Sequence, residues 1–194
     1  MTTIHVTQLP QTHKKLREAR FFLRHLQEKA EAVAVHDSEE FDFYLSAFLN
    51  ANWSVGKVLR TEFLQTDQTA RDSPQRRKWF TDWFSNWKKG LTTTQQDLWK
   101  FADDQRGIEV HQKGANVRAE TEFIPLTHLP REDRSHPAYG FHWFGPPTMP
   151  PPKIGLRVHY FERNDSAEKA IDTCRRYFEL ARKLVQDFEQ ASPP

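Results

Sequence analysis

Eight of the chain's twelve prolines fall between Pro125 and Pro152. Proline has no N–H to donate and its ring clashes with the preceding helical turn, so no long helix crosses that stretch. The chain is thereby divided, with any helical pattern lying before or after it. Before the prolines, Leu16, Ala19, Leu23, Leu26 and Ala30 recur at three- and four-residue spacing, flanked by Arg17, Arg20 and Arg24. This stripe predicts a first helix from about Thr12 to Val35. Asp37-x-x-Glu40 reads as a capping box that opens a second helix. Its apolar band runs through Phe41, Tyr44, Leu45, Phe48, Leu49, Trp53 and Val55 to about Phe63 and Leu64. Such a wide band belongs at the centre of a bundle.

Ser73 followed by Pro74 marks the start of a third helix, because proline fits the first helical position, where an N–H is unsatisfied anyway. That helix carries Trp79, Trp83 and Trp87, with Phe80 and Phe84 beside them, and ends near Gly90. A fourth begins in the Thr92–Thr94 run, includes Leu98, Trp99 and Phe101, and reaches Arg106, where Gly107 offers a helix stop. Thr121–Leu126, Tyr139–Phe144 and Ile154–Phe161 suit strands, the last with Ile154, Leu156, Val158 and Tyr160 alternating. A final helix, capped by Asp165-x-x-Glu168, presents Ala170, Ile171, Cys174, Tyr177, Phe178, Ala181, Val185 and Phe188 to the core. The expected fold is therefore mainly α. It is a single domain over residues 1–194, an antiparallel bundle of about five helices, with a small antiparallel β insertion between the fourth and fifth. The insertion, residues 115–163, is β-rich and Pro-rich, and no repeat of solenoid length is present.

Composition narrows the function classes. With 37% hydrophobic and 28% charged residues, six Trp and fifteen Phe, the chain can pack a core without covalent staples. Cys174 is the single cysteine, so no intrachain disulfide forms and a reducing, cytoplasmic location is expected. No apolar run serves as a signal peptide or approaches the ~20 residues of a membrane span, so no membrane association is expected. A net charge of +2 does not by itself argue for nucleic acid; binding must come from a local patch.

The one unusual spacing is Arg106-Gly-Ile-Glu-Val-His111. On an uninterrupted helix, residues five apart point about 140° away from each other and cannot share a small site. If Gly107 breaks the helix, both side chains can turn toward one cleft. A guanidinium there binds a non-bridging phosphate oxygen and stabilises transition-state charge. An imidazole, with an unperturbed pKa near ~6.5, donates or accepts a proton. The structural alternative is that Arg106 pairs with Glu109, Asp103 or Asp104 while His111 caps a helix C-terminus. Glu109, between the two, either orients His111, contacts a base, or is a solvated carboxylate.

Through this Arg-x4-His spacing, with long helices before and after it, the chain resembles the HEPN domains (higher eukaryotes and prokaryotes nucleotide-binding). The resemblance covers residues 12–112 and 165–190. It implies an all-α bundle and a metal-independent endoribonuclease that works as a homodimer, in a defence or toxin–antitoxin setting. In that chemistry the ribose 2′-OH attacks the adjacent phosphate and leaves a 2′,3′-cyclic phosphate. By resemblance His111 is the acid or base and Arg106 the phosphate contact, with no cofactor and no metal. The family usually has a polar residue after the Arg; Gly107 stands there instead, so a third active-site contact is missing.

Outside the motif, Arg71, Arg76, Arg77 and Lys78 form a candidate phosphate patch, set against the simpler reading of a solvated loop and helix start. The Trp79–Trp83–Trp87 stripe is read as core or a dimer face rather than a base-stacking platform. His128, His136, His142 and His159 lie in the insertion, and His142 can meet His159 across strands. No Cys-x-x-Cys, His-x-x-x-His or acidic partner supports a metal site, and no Gly-rich phosphate loop is present. Two functions follow: an endoribonuclease acting through Arg106 and His111, or a non-catalytic helical module binding RNA, nucleotide or a protein partner.

Overall fold

A computed structural model describes residues 9–30, 39–65, 73–111, 117–125, 153–163 and 166–191. Its helices are α1 (Pro10–Ala30), α2 (Glu39–Gln65), α3 (Pro74–Gly90), α4 (Thr93–His111) and α5 (Ala170–Glu189). Between α4 and α5 lie β1 (Val117–Pro125), β2 (Lys153–Arg163) and β3 (Ser166–Lys169), an antiparallel sheet in the order β1-β2-β3. The chain is thus mainly α with a small antiparallel sheet before the last helix. The expected cap at Asp37, the strand Tyr139–Phe144, and His128, His136 and His142 lie outside the described residues. No helix among those described is long and apolar enough to cross a membrane.

Local chemistry fixes the starts of α3 and α4. The expected start of the third helix is present: Pro74 is the first residue of α3, and the Ser73 carbonyl accepts from Arg77 N–H at 3.2 Å. Thr92 and Gln95 form a reciprocal capping box at the head of α4. Gln95 N–H donates to Thr92 Oγ1 at 3.3 Å, and Thr92 N–H to Gln95 Oε1 at 3.1 Å. The head of α1 is capped from another helix. Glu62 of α2 accepts from the N–H groups of Gln11 (2.9 Å) and Thr12 (2.8 Å) and from the Thr12 hydroxyl (2.7 Å).

The start of α5 departs from expectation. Glu168 does not begin a helix; it lies in β3, paired with Phe161 of β2, and its carboxylate pairs with Arg176 one and a half turns into α5. The hairpin wins over the local capping signature because Phe161 is buried between the sheet and the bundle, 5.2 Å from Phe101. The helix then begins at Ala170 with no side-chain cap.

The core forms two clusters, and α5 serves both. Its first half sends Cys174, Tyr177 and Leu180 against Leu26, Phe41, Phe48 and Leu98. Its second half sends Ala181, Leu184, Val185 and Phe188 against Val55, Leu59, Phe63 and Phe80. Leu180 and Leu184 are buried members of this face that the apolar stripe read from sequence did not include. The tryptophans of α3 are partly buried against it: Trp83 meets Phe188 edge-on at 4.8 Å, and Trp87 Nε1 donates to Asp187 at 2.8 Å.

Candidate functional site

The segment carrying Arg106 and His111 is continuous helix. α4 runs through Gly107 to His111, so the expected helix stop at Gly107 is overturned. A glycine ends a helix when it takes a left-handed backbone; Gly107 does not, and its hydrogen bonding continues the helix for another turn. Positions 106 and 111 consequently stand about 140° apart around the axis. Within one chain the helix does not bring them to one face. Of Glu109 and His111 the backbone position in α4 is described, and their side chains are outside the description.

The Arg106 side chain packs against α2. Its guanidinium carbon is 3.7 Å from the centroid of a Trp53 ring, and Lys57 Nζ is 3.8 Å from a Trp53 ring as well. Trp53, one turn before Lys57 on α2, therefore gathers two cations at its π-system. Arg106 is half-buried, and its buried Nε has no hydrogen-bond partner among the described residues. Neither Asp103 nor Asp104 forms an ion pair with it there. Beneath lies a polar seam in the bundle. The buried Asn52 amide donates to the Tyr177 carbonyl at 3.1 Å. Burial pushes the Tyr177 hydroxyl's pKa upward, the Asp103 carboxylate adds to this, and Asn52 and Arg106 pull the other way. Arg106 and Asp103 are thus close enough to act on a hydroxyl carried by α5. The arrangement can hold an anion beside Trp53; it contains no imidazole within the described side chains.

The second patch expected from sequence is described only in part. Arg71 lies outside the described residues. Arg76 turns inward, donating through Nη2 to the Phe63 carbonyl at 2.9 Å with its guanidinium 4.4 Å over the Phe63 ring. It thereby satisfies a carbonyl in the last turn of α2. Lys78 pairs with Asp82 at 2.6 Å one turn on, and Arg77 is exposed. His159 is buried with its ring stacked on Phe41 at 3.7 Å and 5°. No group of three or more His, Cys, Asp or Glu side chains converges among the described residues.

Among the described residues, grooves flank α4 at two places to which sequence spacing did not point. One, of about 510 Å³, lies between α4 and α5 and is lined by Thr94, Leu98, Arg176, Arg182 and Lys183 among others. The other, of about 420 Å³, lies between the end of α3 and the start of α4, lined by Ser85, Lys88, Lys89, Gln96, Trp99 and Lys100 with Leu91 at its floor. Lys88 and Lys89 follow Trp87 directly in the sequence. Lys100 joins them only because the α3–α4 turn folds the two helices together.

No family model matches this chain, and no curated protein or solved structure matches it either.

Proposed function

We propose that this chain is a HEPN-like helical module that binds RNA through its phosphodiesters, with Arg106 as a phosphate contact. What carries the reading is the setting of Arg106. Trp53 holds the guanidinium in place, and no carboxylate among the described residues forms an ion pair with it. A pre-positioned guanidinium loses little entropy when it binds a phosphate oxygen, and such a charge-assisted bond is worth about 1.5–3 kcal/mol. The setting proposed is the cytoplasm, where the lone buried Cys174 stays reduced.

A second reading, the endoribonuclease, draws on one observation: Arg106 and His111 occupy the same end of α4. A homodimer that packs two such ends together can set Arg106 of one copy near His111 of the other, even though one helix holds them apart. Proton transfer by His111 and charge stabilisation by Arg106 then follow the chemistry of the resemblance.

Binding of a labelled single-stranded RNA to the wild type, Arg106→Gln and His111→Ala tests both, with thermal melting as the check on folding. The binding reading expects Arg106→Gln to weaken affinity by about tenfold or more, from the magnitude above, and His111→Ala to leave it within twofold. Undiminished binding by folded Arg106→Gln refutes the assignment. Cleavage in chelator that His111→Ala abolishes establishes the nuclease; equal cleavage by both proteins, or none, removes it.

A further inference from the structure

The two grooves beside α4 differ in one respect that their sizes do not reveal. In the α4–α5 groove every cation is answered. Arg176 pairs with Glu168, Arg182 with Glu179 at 2.7 Å, and Lys183 with Asp187 at 2.6 Å. The α3–α4 groove holds three lysines, and no carboxylate lines it. Among the described residues none of Lys88, Lys89 and Lys100 makes an ion pair. Among the described residues other exposed cations, Lys14, Arg17 and Arg20 of α1 for example, are also without an ion pair, but they line neither groove. A chain carrying only two net positive charges has left three of its cations unanswered in one place.

Lysines at a helix end often serve the terminal carbonyls. Here that task is already done. The Lys88 carbonyl accepts from Leu91 N–H at 3.3 Å, and the Gln96 amide donates to the carbonyls of Lys89 (3.3 Å) and Leu91 (2.9 Å). The Lys88 ammonium instead stands 5.0 Å over the Phe84 ring. The groove is open and has no buried polar group to fix one small ligand. Lysine is moreover a point charge on a flexible stem, without the fork that reads a single phosphate's geometry. These are the properties of a track for a repeating anion.

We infer that the α3–α4 groove binds the phosphate backbone of a single-stranded RNA, Lys88, Lys89 and Lys100 each neutralising a phosphate. The inference rests on the RNA-binding reading above and adds a second contact region to it, on the opposite part of α4 from Arg106. Three released counterions contribute about 2 to the slope of log affinity against log salt, at ~0.7 per phosphate on a single strand.

The test is a salt titration of RNA binding by the full chain, as wild type, as the triple variant Lys88→Gln, Lys89→Gln, Lys100→Gln, and as the charge-preserving triple variant with Arg at the same positions. The Gln variant is expected to flatten the slope by about 2. Between 50 and 200 mM salt its affinity then falls about twentyfold less than the wild type's. The Arg variant is expected to keep the wild-type slope. All three side chains are exposed, so melting temperatures should agree closely. An unchanged slope in the Gln variant overturns the groove while Arg106-dependent binding stands. A flattened slope with undiminished binding by Arg106→Gln supports the groove and removes Arg106 instead. No RNA binding by the wild type sinks both. Equal competition by free ATP, or by polyglutamate of matched charge, shows a nucleotide pocket or a general polyanion surface, and either overturns the strand assignment.

Discussion

Replacing Gly107 with alanine separates the two ways of placing Arg106 and His111. Gly107 lies within α4, four residues before its end, and a Cβ built there meets nothing within 4 Å. Alanine keeps every backbone hydrogen bond of the helix. It also removes conformational freedom that glycine has only in the unfolded chain, so the gain is about 0.8–1.0 kcal/mol. With a urea slope near ~2 kcal/mol per molar, the unfolding midpoint should rise by about 0.4–0.5 M. The melting temperature should rise by about 2–4 °C for a chain of this size. Equilibrium urea unfolding followed by tryptophan fluorescence reads the first figure directly. RNA binding by the same variant should match the wild type, because no helix break is needed to present Arg106. A lowered midpoint would refute the reasoning, since it would mean that Gly107 takes a left-handed backbone and that α4 ends there.

Two further outcomes follow from buried groups. Tyr177 ionises later in the folded chain than in the unfolded one, whose tyrosines titrate near ~10. Its contribution is therefore complete below that pH and lost as pH rises above it, at about 1.4 kcal/mol per pH unit. Urea unfolding between pH 9 and 11 should show a steeper decline for the wild type than for Tyr177→Phe; parallel declines reject the argument. Glu62→Ala removes the acceptor of three hydrogen bonds at the head of α1. It should cost about 2–3 kcal/mol, with faster amide exchange at Gln11 and Thr12. Unaltered exchange at those two amides shows that the cap is not held by Glu62.

How much could be read in the sequence depends on how local each determinant is. Ser73-Pro74 and the threonine run before α4 act within one turn, and both mark helix starts in the structure. The periodicity of α2 and α5 survives for the same reason, since a buried stripe is a property of one helix. Asp165-x-x-Glu168 carries an equally local signature and misleads. The pairing of Glu168 with Phe161, seven residues earlier, outweighs a cap worth about 1 kcal/mol. Gly107 misleads in the other direction: a glycine permits a helix to stop, but a helix packed on either side of it continues at modest cost. The site is harder still. Arg106 finds Trp53 across fifty-three positions and Lys100 finds Lys88 across a turn, and no spacing rule relates either pair.

The dependence of both core clusters on α5 has a consequence for the order of events during synthesis. Phe41, Phe48 and Phe63 of α2 are wholly buried in the finished protein, and each lies in a cluster that α5 completes. One hundred and four residues lie between Gln65 and Ala170. At about 5–20 residues per second, the ribosome takes on the order of ten seconds to supply the missing helix. Through that interval α1 and α2 can pair with each other and α3 can cover Phe63, but Phe41 and Phe48 lack the face of α5 that buries them. The nascent chain is then an incomplete bundle with an adhesive face, and its escape from aggregation depends on chaperone cover or on how quickly translation reaches Phe188.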